Sequence, residues 1–392
     1  MKSPQCFDEI AATPQPPPPP ASELRDWSRL ADLALGDVLR RLIPCLRSIS
    51  AFAATCGPWR RFFLAFASTI LQGIPPVILS SRFWPDKTTR LLGFSPHVMR
   101  KPVVSPLPDF RSTLLSSSRG HLILLFRPRG LLVVVDALTG AERLAIRLPS
   151  PGYPYHYASL TPTYLLLFVS KHAFVSLAFP TPDPAPEWTH HRLPREASFV
   201  AAVVDFRGRG LGVTDRAQLL EFRLDDPDQA VELLPTTGLP DNAAFERWQF
   251  GPRLVAAGER LLLLLIMTDP EERGSISRLG RVQKVSVHAL DMATMRWEEL
   301  DDIGEYSLFV DCAGRSAVAC ADAGGCGVVA NRVYFLASCG YDQQTAWKAF
   351  QPGSDCTEGG WNSPWPSLIS TQRQWPPSQT WVYPRLFYRC EF

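Results

Sequence analysis

Residues 120–149 read GHLILLFRPRGLLVVVDALTGAERLAIRLP, and this stretch decides the fold class. His121 to Phe126 is a short apolar run, Leu131 to Val135 is a second, and a turn bearing proline and glycine separates them. The second run ends at Asp136, Leu138-Thr139-Gly140 supplies a small polar turn, and the chain returns toward Arg147-Leu148-Pro149. Short aliphatic, β-branched runs bounded by turn residues read as strands. The same order recurs in Val285 to Leu290, the turn Asp291-Met292-Ala293-Thr294, and Arg296-Trp297-Glu298-Glu299-Leu300. A repeated antiparallel unit is therefore expected.

Outward from there the pattern continues. From Val77 to the C-terminus, roughly two dozen short β-prone runs alternate with Gly, Pro, Asp and Asn. Among them are Tyr164 to Val169, Phe174 to Phe179, Phe199 to Val204, Gln218 to Phe222, Arg260 to Met267, Val282 to Ala289 and Arg332 to Leu336. No helical segment interrupts them. So long a β region overfills a single sandwich, whereas radial repetition of four-stranded blades, roughly 40–50 residues each, accommodates it as about six or seven blades. The strand, Asp, small polar turn and returning strand match the blade grammar of kelch-like propellers. Residues 73–392 are thus expected to form a mainly β, six- or seven-bladed β-propeller.

The rhythm changes at Gly73-Ile74-Pro75-Pro76. Before it, Asp26 to Ala67 keeps helical time: Leu35, Val38, Leu39, Leu42 and Ile43 fall on one face, with Asp37, Arg40 and Arg41 opposite. Pro44 stops this helix, Ser48 or Ser50 is placed to cap a second, and Ile49, Phe52, Ala53 and Cys56 repeat the spacing. Gly57 ends that helix, Pro58 suits the first turn of a third, and Trp59, Phe62, Phe63 and Phe66 share its apolar face. Helices this short are marginal alone, so the unit at 23–72 must pack on itself or on a partner. Residues 1–22, with Pro14 and Pro16 to Pro20, read as a disordered polyproline tail.

Several of these residues resemble an F-box: Asp26-Trp27-Ser28, Leu30, the spacing of Leu35, Val38 and Leu42, and the close Cys56-Gly57-Pro58-Trp59-Arg60. Asp-Trp-Ser ahead of the first helix is similar to plant F-box proteins with a KIB-type β-propeller, also known as domain of unknown function 295. Downstream, the resemblance rests on Ala289-Leu290-Asp291-Met292, Arg296 to Leu300, Gly304, Ser307 to Val310, Gly325 to Asn331, and Tyr334 to Leu336. Trp375-Pro376-Pro377 and Trp381-Val382-Tyr383-Pro384 complete it, and it spans residues 24–392. It implies a substrate-recognition subunit of an SCF-type cullin-RING E3 ubiquitin ligase. Leu30, Leu35, Val38, Leu42 and Trp59 would bind the Skp-type adaptor, and the propeller would hold an unknown target protein. The chain departs from the family at Ala31, where proline is usual, at Leu33, where an acid is usual, and at Ala51 to Ala54, which lack the arginine before Cys56. These departures keep open a second reading, an interaction scaffold whose F-box has decayed. Residues 351–372 read as an insertion.

Composition excludes other classes. Forty lysines and arginines against 38 acids give a net charge of +2 without a basic block, so neither nucleic acid nor a membrane surface is an expected partner. The longest apolar run, Leu261 to Met267, spans a strand and not a bilayer. The acid-bearing N-terminus lacks the apolar core of a signal peptide. Nine cysteines, an odd number without a framework, fit reduced thiols in cytosol or nucleus. No phosphate loop or G-x-S-x-G elbow is present, and Gly208, Gly210 and Gly212 read as glycines of a hairpin. Cys312, Cys320, Cys326 and Cys339 lack the C-x-x-C spacing of a zinc site and read as buried strand residues. His190-His191 reads as part of a surface strand, and Asp301-Asp302 as solvated loop charge. No enzyme, cofactor or metal is expected.

Overall fold

The continuous apolar runs become the middle strands of four-stranded sheets, buried on both faces. They are seen in a computed structural model whose described residues lie between 28 and 382. Outside them lie chiefly 72–75, 82–88, 94–102, 105–112, 138–141, 180–186, 241–251, 269–281, 312–315, 340–343, 354–377 and 383–392. The expected tail, Asp26-Trp27, most of the expected insertion, Trp375 to Pro377 and Tyr383-Pro384 all fall outside.

Three helices come first, Asp32–Leu42 (α1), Leu46–Thr55 (α2) and Gly57–Leu71 (α3). The second begins at Leu46, so Ser48 and Ser50 lie within it and neither is its cap. Strands Val77–Ser81 (β1), Thr89–Gly93 (β2) and Val103–Val104 (β3) follow. Blade one comprises Thr113–Ser118 (β4), His121–Phe126 (β5), Leu131–Asp136 (β6) and Glu142–Arg147 (β7). Blade two comprises Tyr157–Leu160 (β8), Tyr164–Phe168 (β9), Ala173–Ala178 (β10) and Thr189–Arg192 (β11). Blade three comprises Val200–Phe206 (β12), Arg209–Thr214 (β13), Leu219–Phe222 (β14) and Val231–Leu234 (β15). Blade four comprises Arg253–Ala257 (β16), Arg260–Thr268 (β17), Val282–Asp291 (β18) and Arg296–Leu300 (β19). Blade five comprises Ser307–Asp311 (β20), Ala317–Cys320 (β21), Arg332–Cys339 (β22) and Gln344–Phe350 (β23). Ser378–Val382 (β24) then returns to pair antiparallel with β1, Val382 opposite Val77, giving the sheet order β24-β1-β2-β3.

The expectation of six or seven blades is thereby corrected to five blades cut from consecutive strands. The remaining four-stranded sheet is composite, taking strands from both ends of the described chain. Strand counting along a sequence cannot show that sharing. Inner strands of neighbouring sheets touch in the order β24, β4, β8, β12, β16, β21, and β24 again contacts blade five through β20 and β22. The sheets therefore close into a ring. Blade five departs from the antiparallel expectation as well. Its order is β21-β20-β22-β23, and β22 runs parallel to β20 with Arg332 opposite Ser307, because the chain crosses back after β21 before β22 starts.

Blade four shows why the middle strands are apolar throughout. Leu262, Leu264 and Ile266 of β17 pack with Val285, Val287, Leu308 and Val310, while Leu261, Leu263 and Leu265 pack on the other face with Leu211, Val213, Leu219 and Trp297. Each of these leucines is buried, and full burial of such a side chain contributes about 1.5–3 kcal/mol. Outer strands meet water, and β7, ERLAIR, shows it with no buried residue. His190 and His191 lie on the outer strand β11, the surface setting their sequence suggested. Gly208 sits in the hairpin turn, with Gly210 and Gly212 in β13. A Cβ on Gly212 would stand 2.6 Å from the Phe222 ring.

Candidate protein-interaction surfaces

The helical unit has its own small core. Leu35 and Leu39 of α1, Ile49 and Phe52 of α2, and Phe63 of α3 are buried in one cluster, continuous with Val77, Leu79 and the blade-one residues Leu122, Leu124, Val133 and Val135. Ala31 O accepts from the N–H groups of Ala34 and Leu35, closing the first turn of α1. Trp59 lies on Phe52 with ring centroids 4.6 Å apart.

Of the five residues expected to bind an adaptor, Leu35 is only 2% exposed. It holds the helices together and cannot meet a partner while they stay packed. Leu30, Val38, Leu42 and Trp59 are half-buried against the same core. The side chains that do face outward are Leu33 at 84%, Leu64 at 54% and Phe66 at 48% exposed. Sequence reasoning read Leu33 only as a departure and placed Phe66 on the packing face. For Leu33 the available signal was its position off the stripe of Leu35, Val38 and Leu42. Phe62 of α3 lies against Gly36 of α1, one turn after Leu33, and packs on Phe66 at 4.8 Å.

The propeller offers two ends. One carries the hairpin turns between the first and second strands of the blades. In blades one and three these turns are Arg119-Gly120 and Arg207-Gly208, all four residues having positive φ between 48° and 80°. Two-residue turns of this kind match the twist of their strands, and glycine at the second position relieves half the steric cost. Charges here are matched. Arg119 Nη1 lies 3.4 Å from Asp205 Oδ2, Arg207 Nη2 lies 2.7 Å from Glu259 Oε2, and Arg260 donates to Ile303 O at 2.9 Å beneath the Tyr306 ring. Beside them, Glu221 of β14 receives Arg209 Nε and Arg223 Nη2, each at 2.6 Å. The Arg209 hydrogen bond is the largest cause that holds the Glu221 carboxyl below its usual range.

The opposite end carries the connections between second and third strands and the links that lead from blade one through to blade four. Tyr153 and Phe199 are exposed there, and His156 meets Phe199 edge-on at 5.3 Å. A groove of about 300 Å³ lies beside Phe199's link, walled by Arg216, Gln218, Leu234, Pro235 and Leu239.

His121 and His288 are buried inside the blades, and His191 is half-buried on the outer strand β11. His121, His191 and His288 all have pKa values pushed below the ordinary imidazole value, in each case chiefly by burial. His191 Nε2 lies 2.7 Å from Ser176 Oγ, with its ring stacked on Phe174 at 4.7 Å. Ser176 is itself buried within β10, so this pair is part of the blade's packing. Among the described residues no group of three or more His, Cys, Asp or Glu could hold a metal ion, and no helix is long and apolar enough to cross a membrane. Cys320 is buried, Cys339 ends β22, and Cys312 and Cys326 lie outside the described residues.

A closed ring of blades with three helices at its N-terminal side defines a β-propeller protein, a class whose ends serve protein interaction. The chain belongs to the KIB1-4 beta-propeller family, whose model matches residues 94–358. No curated protein matches it. Solved structures similar to it include Kuenenia stuttgartiensis hydrazine synthase, at 12% identity over 59% of this chain and 70% of that one, with a TM-score of 0.35. The β-propeller domain of Cps50 (Swd1) from Myceliophteria thermophila matches at 12% identity over 71% and 80%, with a TM-score of 0.34. BamB from Moraxella catarrhalis matches at 12% over 71% and 68%, with a TM-score of 0.31.

Proposed function

We propose that the chain is a substrate receptor: its helical unit docks to the Skp-type adaptor of a cullin-RING ubiquitin ligase, and its propeller holds the target protein, in cytosol or nucleus. The observation that carries this reading is the exposure of Leu33, Leu64 and Phe66. A helical unit that has already satisfied its own core still presents three large apolar side chains to water. Exposed apolar side chains gathered on one small unit are what a partner covers. The F-box resemblance supplies the partner's identity.

Adaptor pull-down with the full chain tests the reading. Wild type is expected to retain the adaptor, and Leu64→Asp with Phe66→Asp to lose at least about tenfold in affinity, since each buried anchor is worth about 1–3 kcal/mol. Leu35→Asp is unsuitable, because it breaks the unit's own core. No adaptor retention by wild type, or an unchanged double variant, removes the ligase role.

The second reading, a propeller scaffold with a decayed F-box, draws on one specific observation: Leu33 is the most exposed apolar residue of the unit, at the position where the family has an acid. Under it, wild type fails to bind, and Ala31→Pro with Leu33→Asp restores binding.

A further inference from the structure

Contacts between neighbouring connections form a track at the end of the propeller that carries the blade links. Arg127 Nη2 donates to Tyr155 O at 3.4 Å, and the Tyr155 ring lies 6.5 Å from that of exposed Tyr153. Next along the chain, His156 meets Phe199. Gln218 then staples the Phe199 link to the groove: Ser198 N donates to its Oε1 at 3.0 Å, and its Nε2 donates to Glu196 O at 2.9 Å. Gln218 also walls the groove, together with Arg216 and Leu239.

Charge along this track is one-sided. The described residues of these connections hold Arg127, Arg129, Arg195 and Arg216, all exposed, against Glu196 and half-buried Asp215. At the hairpin end every arginine just described has a carboxylate or carbonyl partner. Arg129, Arg195 and Arg216 form no ion pair among the described residues. Guanidinium groups without an ion pair among the described residues, together with exposed aromatic rings and a groove walled in part by Leu234, Pro235 and Leu239, fit carboxylates spaced along an extended chain, with one apolar side chain between them.

We propose that this track binds an extended acidic segment of a partner protein, with an apolar side chain in the groove beside Leu239 and carboxylates on Arg195 and Arg216. The proposal rests on the propeller being the partner-binding half and is independent of the adaptor. Arginine with aromatic rings also suits single-stranded nucleic acid, which stacks its bases and tracks a longer basic path. Arg195 and Arg216 beside a groove walled in part by Leu234 and Leu239, in a chain of net charge +2, favour the peptide.

Panning a library of random linear peptides on the full chain tests this. Enriched peptides are expected to carry paired acids flanking an aliphatic or aromatic residue. The best of them should bind at least about tenfold more weakly to Arg195→Glu with Arg216→Glu, a loss of about 1.4 kcal/mol. It should also weaken with added salt and bind Arg61→Glu, a charge-reversal control on α3, as wild type does. Leu239→Asp, which changes the groove and not the arginines, should weaken it as well. Lack of enrichment, enrichment without acidic bias, indifference to the arginine reversals, or displacement of the peptide by oligouridylate would overturn the assignment. Adaptor pull-down by the same preparations reads the receptor proposal separately, since these substitutions leave the helical unit untouched.

Discussion

The two ends of the ring are made by the same blades, yet they dispose of charge in opposite ways. Two-residue turns at the hairpin end bring Arg119, Arg207 and Glu259 close to the axis, where Asp205 and neighbouring turns answer them. The linking end has longer connections, and there Arg129, Arg195 and Arg216 are exposed, like Tyr153 and Phe199, and form no ion pair among the described residues. A tight turn leaves its side chains few places to go, so its charges must be matched internally or cost stability. A longer link can hold charge and aromatic surface in water for another molecule to meet. One end is built to close the ring, the other to be read.

Both ends depend on the interface between blades three and four, and removing its centre breaks the comparison altogether. Trp297 is 1% exposed, and its backbone N–H donates to Thr237 O at 2.8 Å, binding the link after blade three to blade four. Trp297→Ala is expected to cost about 3–5 kcal/mol in chemical denaturation, from lost burial plus the cavity left behind. Trp297→Phe should cost clearly less, because it keeps most of the ring and removes an indole N–H that has no hydrogen-bond partner among the described residues. Equal losses from the two would mean that the polar atom, and not the packing, matters there.

Glu221 probes the matched end alone. Its side chain is nearly buried between two arginines that are themselves largely solvated. Glu221→Gln leaves Arg209 and Arg223 without their shared anion and is expected to destabilise by about 1–3 kcal/mol. An unchanged denaturation midpoint would show that these ion pairs are surface decoration.

Acid separates the blades' interiors from their ends. The folded-state pKa values of His121, His191 and His288 lie below the unfolded imidazole value of about 6.5, so between those values the unfolded chain binds more protons. Their contribution is fully present above about pH 6.5 and is lost as pH falls below it toward the folded values. Glu221, also depressed, contributes above the usual carboxylate range and loses that contribution only at lower pH. Denaturation midpoints should therefore begin to fall below about pH 6.5, before the carboxylates titrate, and His288→Asn should flatten that first decline. A midpoint level from pH 7.5 to 5 would contradict the burial of these rings.

Much of this was legible because the ring imposes its demands on sequence directly. A strand sandwiched between two blades must be apolar on both faces, so β5, β6 and β17 announce themselves as unbroken runs, and the Asp that ends β6 and β18 marks the same turn in two blades. The three helices were legible from the spacing of Leu35, Leu39, Ile49, Phe52 and Phe63. Pairing partners were not. Nothing local to Ser307–Asp311 says that its neighbour on one side runs parallel, and nothing near Ser378–Val382 says that it closes against Val77–Ser81. For the same reason the exposed apolar residues of the helical unit were missed, since periodicity identifies the face of a helix that packs and leaves open which of its apolar residues stay in water. The linking-end track was hidden further still. Its residues come from five separate connections, none of which is basic enough alone to stand out in a chain of balanced charge.

The smallest expected effect is the most informative about that track. Arg195 and Arg216 are exposed and form no ion pair among the described residues, so reversing either charge should leave stability within about 0.5 kcal/mol of wild type. At the hairpin end the equivalent change, Arg209→Glu, places a second anion against nearly buried Glu221 and should cost more than 1 kcal/mol by the same denaturation measurement, about the value of one lost charged hydrogen bond. Like charges this close repel without compensation, whereas isolated charges in water hardly notice reversal. If Arg195→Glu and Arg216→Glu destabilise as much as Arg209→Glu, both ends serve closure of the ring. The linking-end arginines then have no free charge to offer a partner.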